Sequence, residues 1–288
     1  MNNIPLNHHY VSQCQIKNFF NKEKGFIYLY DKILKNHFKK STTKAVFSEK
    51  EGNSRFYNGE IDHSSLEKDL KDNFEDLYNF CLSCVIKLIQ NPENPPSIFR
   101  KALLYLVRYG IAGEIRRPQE KFDSDSSIKK VLFEEFMPNA APELKESLMK
   151  LKERTANSKY INSLFYSEFA NTVLKAMGEL SFVIYFIQGN NYFILPDRPS
   201  ISKRMKINEY FNPDIKEIAM VGIPLSSKIF LHAESQKIRK LPDQIIYINE
   251  ENHSILNKIN IALYKYADKQ VACENESYLK DFIEKIRS

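Results

Sequence analysis

The residue pattern predicts an α+β fold, and three observations carry that prediction. Apolar residues recur at three- and four-residue spacing through residues 62–178, whereas β-branched and aromatic runs bounded by turn-formers dominate from Leu180 onward. The two patterns are segregated rather than interleaved, so the chain does not read as a succession of βαβ units. The expected architecture is a central helical block packed against a mostly antiparallel sheet of C-terminal strands. A small N-terminal β element, within residues 1–60, is too short to fold alone and docks on that body. Residues 1–288 are therefore expected to form one domain, divided as 1–60, 62–178 and 180–288.

Each element follows from local signals. Residues 11–20 suit a short helix stopped by Asn21, residues 25–31 form a β-rich run, and a further short pair is expected at 45–47 and Arg55–Tyr57. A long helix starts at Ser64, which with Glu67 has the form of a capping box, and its buried stripe is Leu66, Leu70, Phe74, Leu77, Cys81, Val85 and Leu88. Pro95-Pro96 opens a second helix, apolar on nearly every side over residues 98–111 and closed by Gly110 and Gly113. Residues 119–127, Gln-Glu-Lys-Phe-Asp-Ser-Asp-Ser-Ser, read as an exposed connection open to proteolysis. Helical patterns resume at 128–137, 142–155 and 160–178. Leu180–Ile187 and residues 192–195, joined by Gly189-Asn190-Asn191, read as a β-hairpin, because Gly and Asn tolerate positive φ. Strands at 218–223, 228–232 and Gln244–Ile248, a helix at 250–267, a strand near Val271 and a closing helix from Glu276 complete the chain.

Composition narrows the possible functions. The longest apolar run, Leu180–Ile187, is far short of the roughly 20 residues that span a bilayer, and the first residues lack the cationic and apolar segments of a secretory signal. Cys14, Cys81, Cys84 and Cys273 are too few and too irregular for a disulfide framework, so a reducing cytoplasm is the expected location. Cys81 and Cys84 fall within a long amphipathic helix and have no second Cys/His pair at zinc spacing, which makes them core residues. Glycine-rich phosphate loops, a Gly-x-Ser-x-Gly elbow and His-Glu-x-x-His are all missing.

The net charge of +6 is unevenly spread: residues 14–50 carry nine lysines against three acids, among them Lys17, Lys35, Lys39 and Lys40. A second cluster, Arg198, Lys203, Arg204 and Lys206, has no acid among residues 198–206. Such clusters attract polyanions, and they also occur as ordinary solvated surface. Four polar sites stand out besides. His8 and His9 on an extended segment point to opposite faces, so only one can enter a site. Asp197, in Ile194-Leu-Pro-Asp-Arg-Pro199, sits where a strand enters a rigid turn. With Asp214 and Lys216 it has the spacing of a Pro-Asp, Asp-x-Lys nuclease core that binds a divalent metal such as Mg2+, or it satisfies its own Asx turn. Arg117, in Arg116-Arg117-Pro118, can cap a helix or hold an anion.

Several of these segments together resemble one family. Asn7-His-His-Tyr-Val11, Gln13, Lys17-Asn-Phe19 and Ile27-Tyr-Leu-Tyr-Asp31 are similar to the opening of a large bacterial family of unknown function, numbered 4238, with Ser12 standing where that family usually has proline. Arg55-Phe-Tyr57, Arg117-Pro118, residues 194–199, Ile223-Pro-Leu-Ser-Ser-Lys228 and Asn249 extend the resemblance over nearly the whole chain, with Pro196 in place of the usual serine. The resemblance implies a shared fold and shared polar positions, His9, Asp31, Arg117, Asp197 and Asn249. It assigns no reaction, and only by association with the accessory bacterial genome does it suggest a role, with a partner protein, in anti-phage defence or a toxin system.

Three readings of function remain open, one of them a small-molecule enzyme, which a well-formed apolar pocket would favour. In another the chain is a cytosolic, nucleic-acid-directed, nuclease-like effector, a metal-assisted phosphodiester hydrolase in which Arg117 holds a phosphate, Asp197 a metal ion or water, and His9 moves a proton. In the third it is a non-catalytic binding or regulatory protein in which the same residues form a structural polar network. His9, Arg117 and Asp197 are expected to share one cleft between the helical block and the later strands.

Overall fold

The computed structural model of the chain describes residues 7–57, 60–156, 159–161, 164–208 and 216–287. Short elements open it: β1 (Asn7–His9), α1 (Gln13–Ile16) with a 3₁₀ turn Lys17–Phe19, β2 (Ile27–Asp31), β3 (Asn36–Lys40), β4 (Ser48–Lys50), β5 (Arg55–Tyr57) and β6 (Glu60–Asp62). β1 pairs antiparallel with β4, and β5 with β6. The Lys-rich strand β3 has no counterpart among the expected elements, because only Phe38 and Lys40 are partly buried and Phe38 is the one apolar side chain in it.

The helical block comprises α2 (Ser65–Leu70), a π turn Lys71–Glu75, α3 (Tyr78–Gln90), α4 (Phe99–Ile115), α5 (Pro118–Lys129), α6 (Pro142–Thr155) and α7 (Tyr166–Met177). The expected stripe is buried at Leu66, Leu70, Phe74, Cys81, Val85 and Leu88 but not at Leu77, whose place Tyr78 takes. The π turn causes that slip, since one extra residue per turn rotates every later position. Asp62 rather than Ser64 caps α2, its Oδ1 accepting from the amides of Ser64 at 2.8 Å and Ser65 at 3.0 Å.

Two further expectations need correction here. Gly110 and Gly113 do not close α4 but lie inside it, where a Cβ would come 2.6 Å from Ile223 Cδ1 and 2.8 Å from Pro199 Cβ. They let the helix approach the sheet. Residues 119–127 are not a loop but most of α5, begun by Pro118 at the first helical position. The inward residues of α5, Lys121 and Asp125, are polar and four apart, so no apolar period betrays the helix.

After the helices come β7 (Leu180–Ile187), β8 (Leu195–Pro196), β9 (Ile201–Met205), β10 (Glu217–Ser226), β11 (Ile229–Ser235), β12 (Gln244–Ile248), α8 (His253–Tyr266), β13 (Gln270–Cys273) and α9 (Glu276–Arg287). A five-stranded sheet runs β12-β7-β11-β10-β9, antiparallel except where β12 meets β7. The expected hairpin between β7 and residues 192–195 does not form. Beyond Gly189, at φ +89°, the chain leaves that sheet, and β8 pairs with β13 instead. A second, four-stranded sheet runs β3-β2-β13-β8, so strands from both ends of the chain share hydrogen bonds. The fold is the expected α+β one, with β2 and β3 of the N-terminal element joined to C-terminal strands while β1 with β4 and β5 with β6 pair among themselves.

One face of the five-stranded sheet packs on α3, α4 and α7 through Val221, Ile223, Leu231 and Ala233. The other face meets α8, α9 and the second sheet around Phe193, Phe230, Leu256 and Leu279. Burial on both faces explains why β10 reads as a continuous apolar run rather than an alternating one. At this close helix–sheet approach Gly110→Val should lower stability by about 1–3 kcal/mol through overpacking. Urea unfolding midpoints measure this, and an unchanged midpoint would refute the close packing.

Candidate functional site

Asp197 directly follows β8 and is buried, and its carboxylate is engaged by main chain. Oδ1 accepts from the Asp268 amide at 2.8 Å, and Oδ2 from Lys269 at 2.7 Å and Gln270 at 3.0 Å. A carboxylate offers about four lone-pair directions, so at most one remains on Oδ1. Burial raises its pKa, against the lowering effect of the three amides. Asp197 therefore closes the turn between α8 and β13 as an acceptor for three consecutive amides.

Asp268, in that same turn, gathers the neighbouring arginines. Arg117 Nη2 reaches its Oδ1 at 3.2 Å and Arg198 Nη2 at 2.5 Å. Burial alone would raise the Asp268 carboxyl pKa, but the hydrogen bond from Arg198 and the charge of Arg117 hold it below the usual range. Arg117 itself is the extended residue preceding α5, not the cap of a C-terminus. Behind it lies the buried Glu114, whose carboxyl pKa burial raises while Ser202, Arg117, Arg198 and Arg204 lower it.

The N-terminal strand supplies the opposite wall. His8 is buried, and its Nδ1 accepts from the Asn53 amide at 2.8 Å, while His9 Nε2 lies 2.9 Å from the Thr43 carbonyl. Both imidazoles thus hold loops of the N-terminal element. Tyr10, the next residue, does face inward, and burial followed by the charges of Asp197, Glu49 and Asp268 raises its hydroxyl pKa. A cleft of about 520 Å³ results, lined by Tyr10, Ile33, Glu49, Pro118, Gln119, Phe122, Tyr160, Asp197, Asp268 and Lys269. Of the three residues expected to share a cleft, Asp197 lines it, Arg117 reaches it through Asp268, and His9 contributes only its neighbour Tyr10.

Asp31 and Asn249 serve turns elsewhere. Asp31 Oδ1 accepts from Ile33 and Leu34 amides at 2.9 and 2.8 Å, and Oδ2 from Gln270 Nε2 at 3.0 Å. Burial pushes its carboxyl pKa up, but these bonds outweigh burial and hold it low. Asn249 Oδ1 accepts from Glu251 and Asn252 between β12 and α8, outside the cleft. Asp214, the partner required for a Pro-Asp nuclease core, lies outside the described residues.

The donors present do not fit a divalent ion at Asp197. Its oxygens are committed to amides and those of Asp268 to arginines, and among the described residues no three His, Cys, Asp or Glu side chains converge to hold a metal. Arg198 is likewise bound rather than free, with its guanidinium 5.6 Å from the Tyr266 ring centroid. Lys39 and Lys40 lie on β3, and Lys203 and Arg204 on β9, each the edge strand of its sheet, while Lys206 follows β9. Charge on an edge strand blocks pairing with a second chain. Lys17 and Lys35 are exposed on the α1 and β2–β3 turns.

Residue-by-residue reading of the sequence missed Arg116, Lys121 and Asp268. Arg116 is almost completely buried, and donates to Ser12 Oγ at 2.9 Å and to the His9 carbonyl at 2.6 Å. Lys121 donates to the Gly52 carbonyl at 2.5 Å and Asn53 Oδ1 at 2.9 Å, with the rings of Tyr160 and Tyr166 beside it. Burial brings its pKa down to about 7. The doublet Arg116-Arg117 was the one visible signal, and nothing in the sequence distinguishes its inward member.

Two outcomes test this geometry. Asp197→Asn replaces an acceptor by an amide nitrogen that cannot accept, leaving buried N–H groups unpaired, and should lower stability by about 2–4 kcal/mol in urea unfolding. Lys121 supplies a pH test. From a folded value of about 7 to an unfolded value of 10.5 the unfolded chain binds a proton that the folded chain lacks, so stability rises with pH across that window. Unfolding midpoints between pH 7 and pH 9 should increase, and Lys121→Met should flatten the increase.

Comparison with known proteins agrees with the resemblance read from the motifs. Neither the search of curated proteins nor that of solved structures returns a significant match. The family described as Protein of unknown function (DUF4238) matches residues 7–277, nearly the whole length, and the chain belongs to that family.

Proposed function

We propose that the chain is a non-catalytic binding or regulatory protein, whose cleft at Asp197 and Asp268 receives a small polar ligand. One observation carries this reading: the Asp197 carboxylate, the residue best suited to metal-assisted hydrolysis, accepts three main-chain amides and so builds the wall of the cleft. Arg117, the candidate phosphate holder, is spent on Asp268 in the same wall. The acceptor the cleft leaves open is Glu49 Oε1, buried and without a hydrogen-bond partner among the described residues, while Glu49 Oε2 accepts from Lys159 and Tyr160; beside the Tyr10 phenol it suits a ligand that donates a hydrogen bond. Four free cysteines are compatible with a reducing cytoplasm as its location.

The nuclease-like effector is the second reading, and the exposure of Lys17, Lys35, Lys39, Lys203, Arg204 and Lys206 is what favours it. A partner protein of a defence or toxin system is compatible with either reading. Single-stranded and duplex DNA and RNA incubated with the protein and Mg2+ or Mn2+ distinguish the two. The binding reading expects no cleavage, and weak association whose salt slope is unaltered by replacing Lys203, Arg204 and Lys206 with Ala. Cleavage abolished by Asp197→Asn in a folded variant, or a salt slope that falls by about 0.7–0.9 per lysine or arginine removed, would overturn it.

A further inference from the structure

A second cavity lies across the five-stranded sheet from α4, beneath α8. Its volume is about 260 Å³, and its walls are largely apolar, formed by Tyr185, Ile201, Phe230, Ile259 and Ala262. The pairing of the strands explains why space exists there. Gly222 stands opposite His232 on β11 and Ile201 on β9. A Cβ on Gly222 would lie 2.5 Å from Phe230 Cζ and 3.1 Å from Ile201 Cγ1, so the floor is bare backbone with the Phe230 ring leaning over it.

The polar groups at this cavity are cationic or neutral. Lys203 of β9 and Lys258 of α8 both line it, both are exposed, and neither has an ion-pair partner among the described residues. His232, the third, faces Glu234 at 3.8 Å, and Glu234 is in turn held by Arg239 at 3.1 Å. The carboxylate that faces His232 is therefore already compensated, while the two ammonium groups at the lining have no ion-pair partner among the described residues. An apolar chamber with two unpaired cations complements a molecule with an apolar body and one negative end.

We infer that this cavity binds a small amphiphilic carboxylate, its hydrocarbon or aryl portion against Phe230, Ile201 and Ile259 and its carboxylate between Lys203 and Lys258. The proposal is independent of the cleft at Asp197, since the two sites share no lining residue. It also gives Lys203 a role separate from guarding the sheet edge.

Isothermal titration of the full chain with octanoate and with octan-1-ol tests it. Octanoate is expected to bind at least tenfold more tightly than the uncharged alcohol. Lys203→Gln with Lys258→Gln, two surface changes that leave the fold intact, should bring octanoate down to the level of octan-1-ol without affecting the alcohol. Ala262→Phe, which fills the chamber from α8, should abolish binding of both. Equal affinity for the acid and the alcohol, no binding of either, or octanoate binding that survives Ala262→Phe in a folded protein would each overturn the inference.

Discussion

A buried guanidinium organises the junction on which the rest of this structure depends. Moving a charge out of water costs several kcal/mol even after relaxation, so Arg116 is tolerable only where partners compensate most of its guanidinium. Its two terminal nitrogens meet the Ser12 hydroxyl and the His9 carbonyl of the N-terminal segment and, at 3.8 Å, the Glu75 carboxylate of the π turn, while Nε has no hydrogen-bond partner among the described residues. The helical block thereby obliges residues 9–12 to lie across the end of α4. Gln15 extends the same tie, donating to the Pro199 and Pro224 carbonyls while accepting from Tyr109. Once that segment is fixed, Tyr10 must face Asp197, and the cleft is a geometric consequence of the junction.

The elements most visible in the sequence are those whose burial is apolar and periodic. The stripe on α2 and α3 and the amphipathic α8 and α9 declare themselves through spacing, and the strands β10 to β12 through β-branched apolar runs between turn-formers. The features that escaped are those where polar residues point inward. α5 turns Lys121 and Asp125 to the interior, so a pattern built on apolar spacing finds only a solvated loop. Long-range pairing was equally hidden: β8 is two residues long and belongs to β13, some seventy residues later, not to the adjacent β7. Gly189 takes the positive φ that its residue type allows, yet the chain there passes between sheets instead of folding back as a hairpin.

The candidate site was legible as residue types and not as partnerships. Asp197 was recognisable from its rigid turn, and both of its possible roles, metal ligand and turn acceptor, follow from the same local sequence. What separates them is the identity of the groups it meets, the amides of residues 268–270, which no local motif can specify. The basic clusters show the same ambiguity from the opposite direction. Lys39 and Lys40 on β3, and Lys203 and Arg204 on β9, look like a polyanion surface in one dimension and like guarded sheet edges in three. Charge that solves a folding problem and charge that recruits a ligand have the same composition, and only the presence or absence of a neighbouring counter-charge tells them apart.

Ser12 connects these arguments to the family. It stands where the family resemblance leads to proline, and its φ of −63° is the value a proline ring imposes, so the main chain there is already shaped for the family's residue. This chain uses the freedom differently. The Ser12 hydroxyl donates to Glu75 and accepts from Arg116, bridging the cation to an acid that otherwise stands 3.8 Å away. A proline could supply the path of the chain but neither hydrogen bond, and the buried guanidinium would then depend on the His9 carbonyl and a longer ion pair. Ser12 therefore strengthens the junction that positions Tyr10 while keeping a main-chain path that proline could also follow.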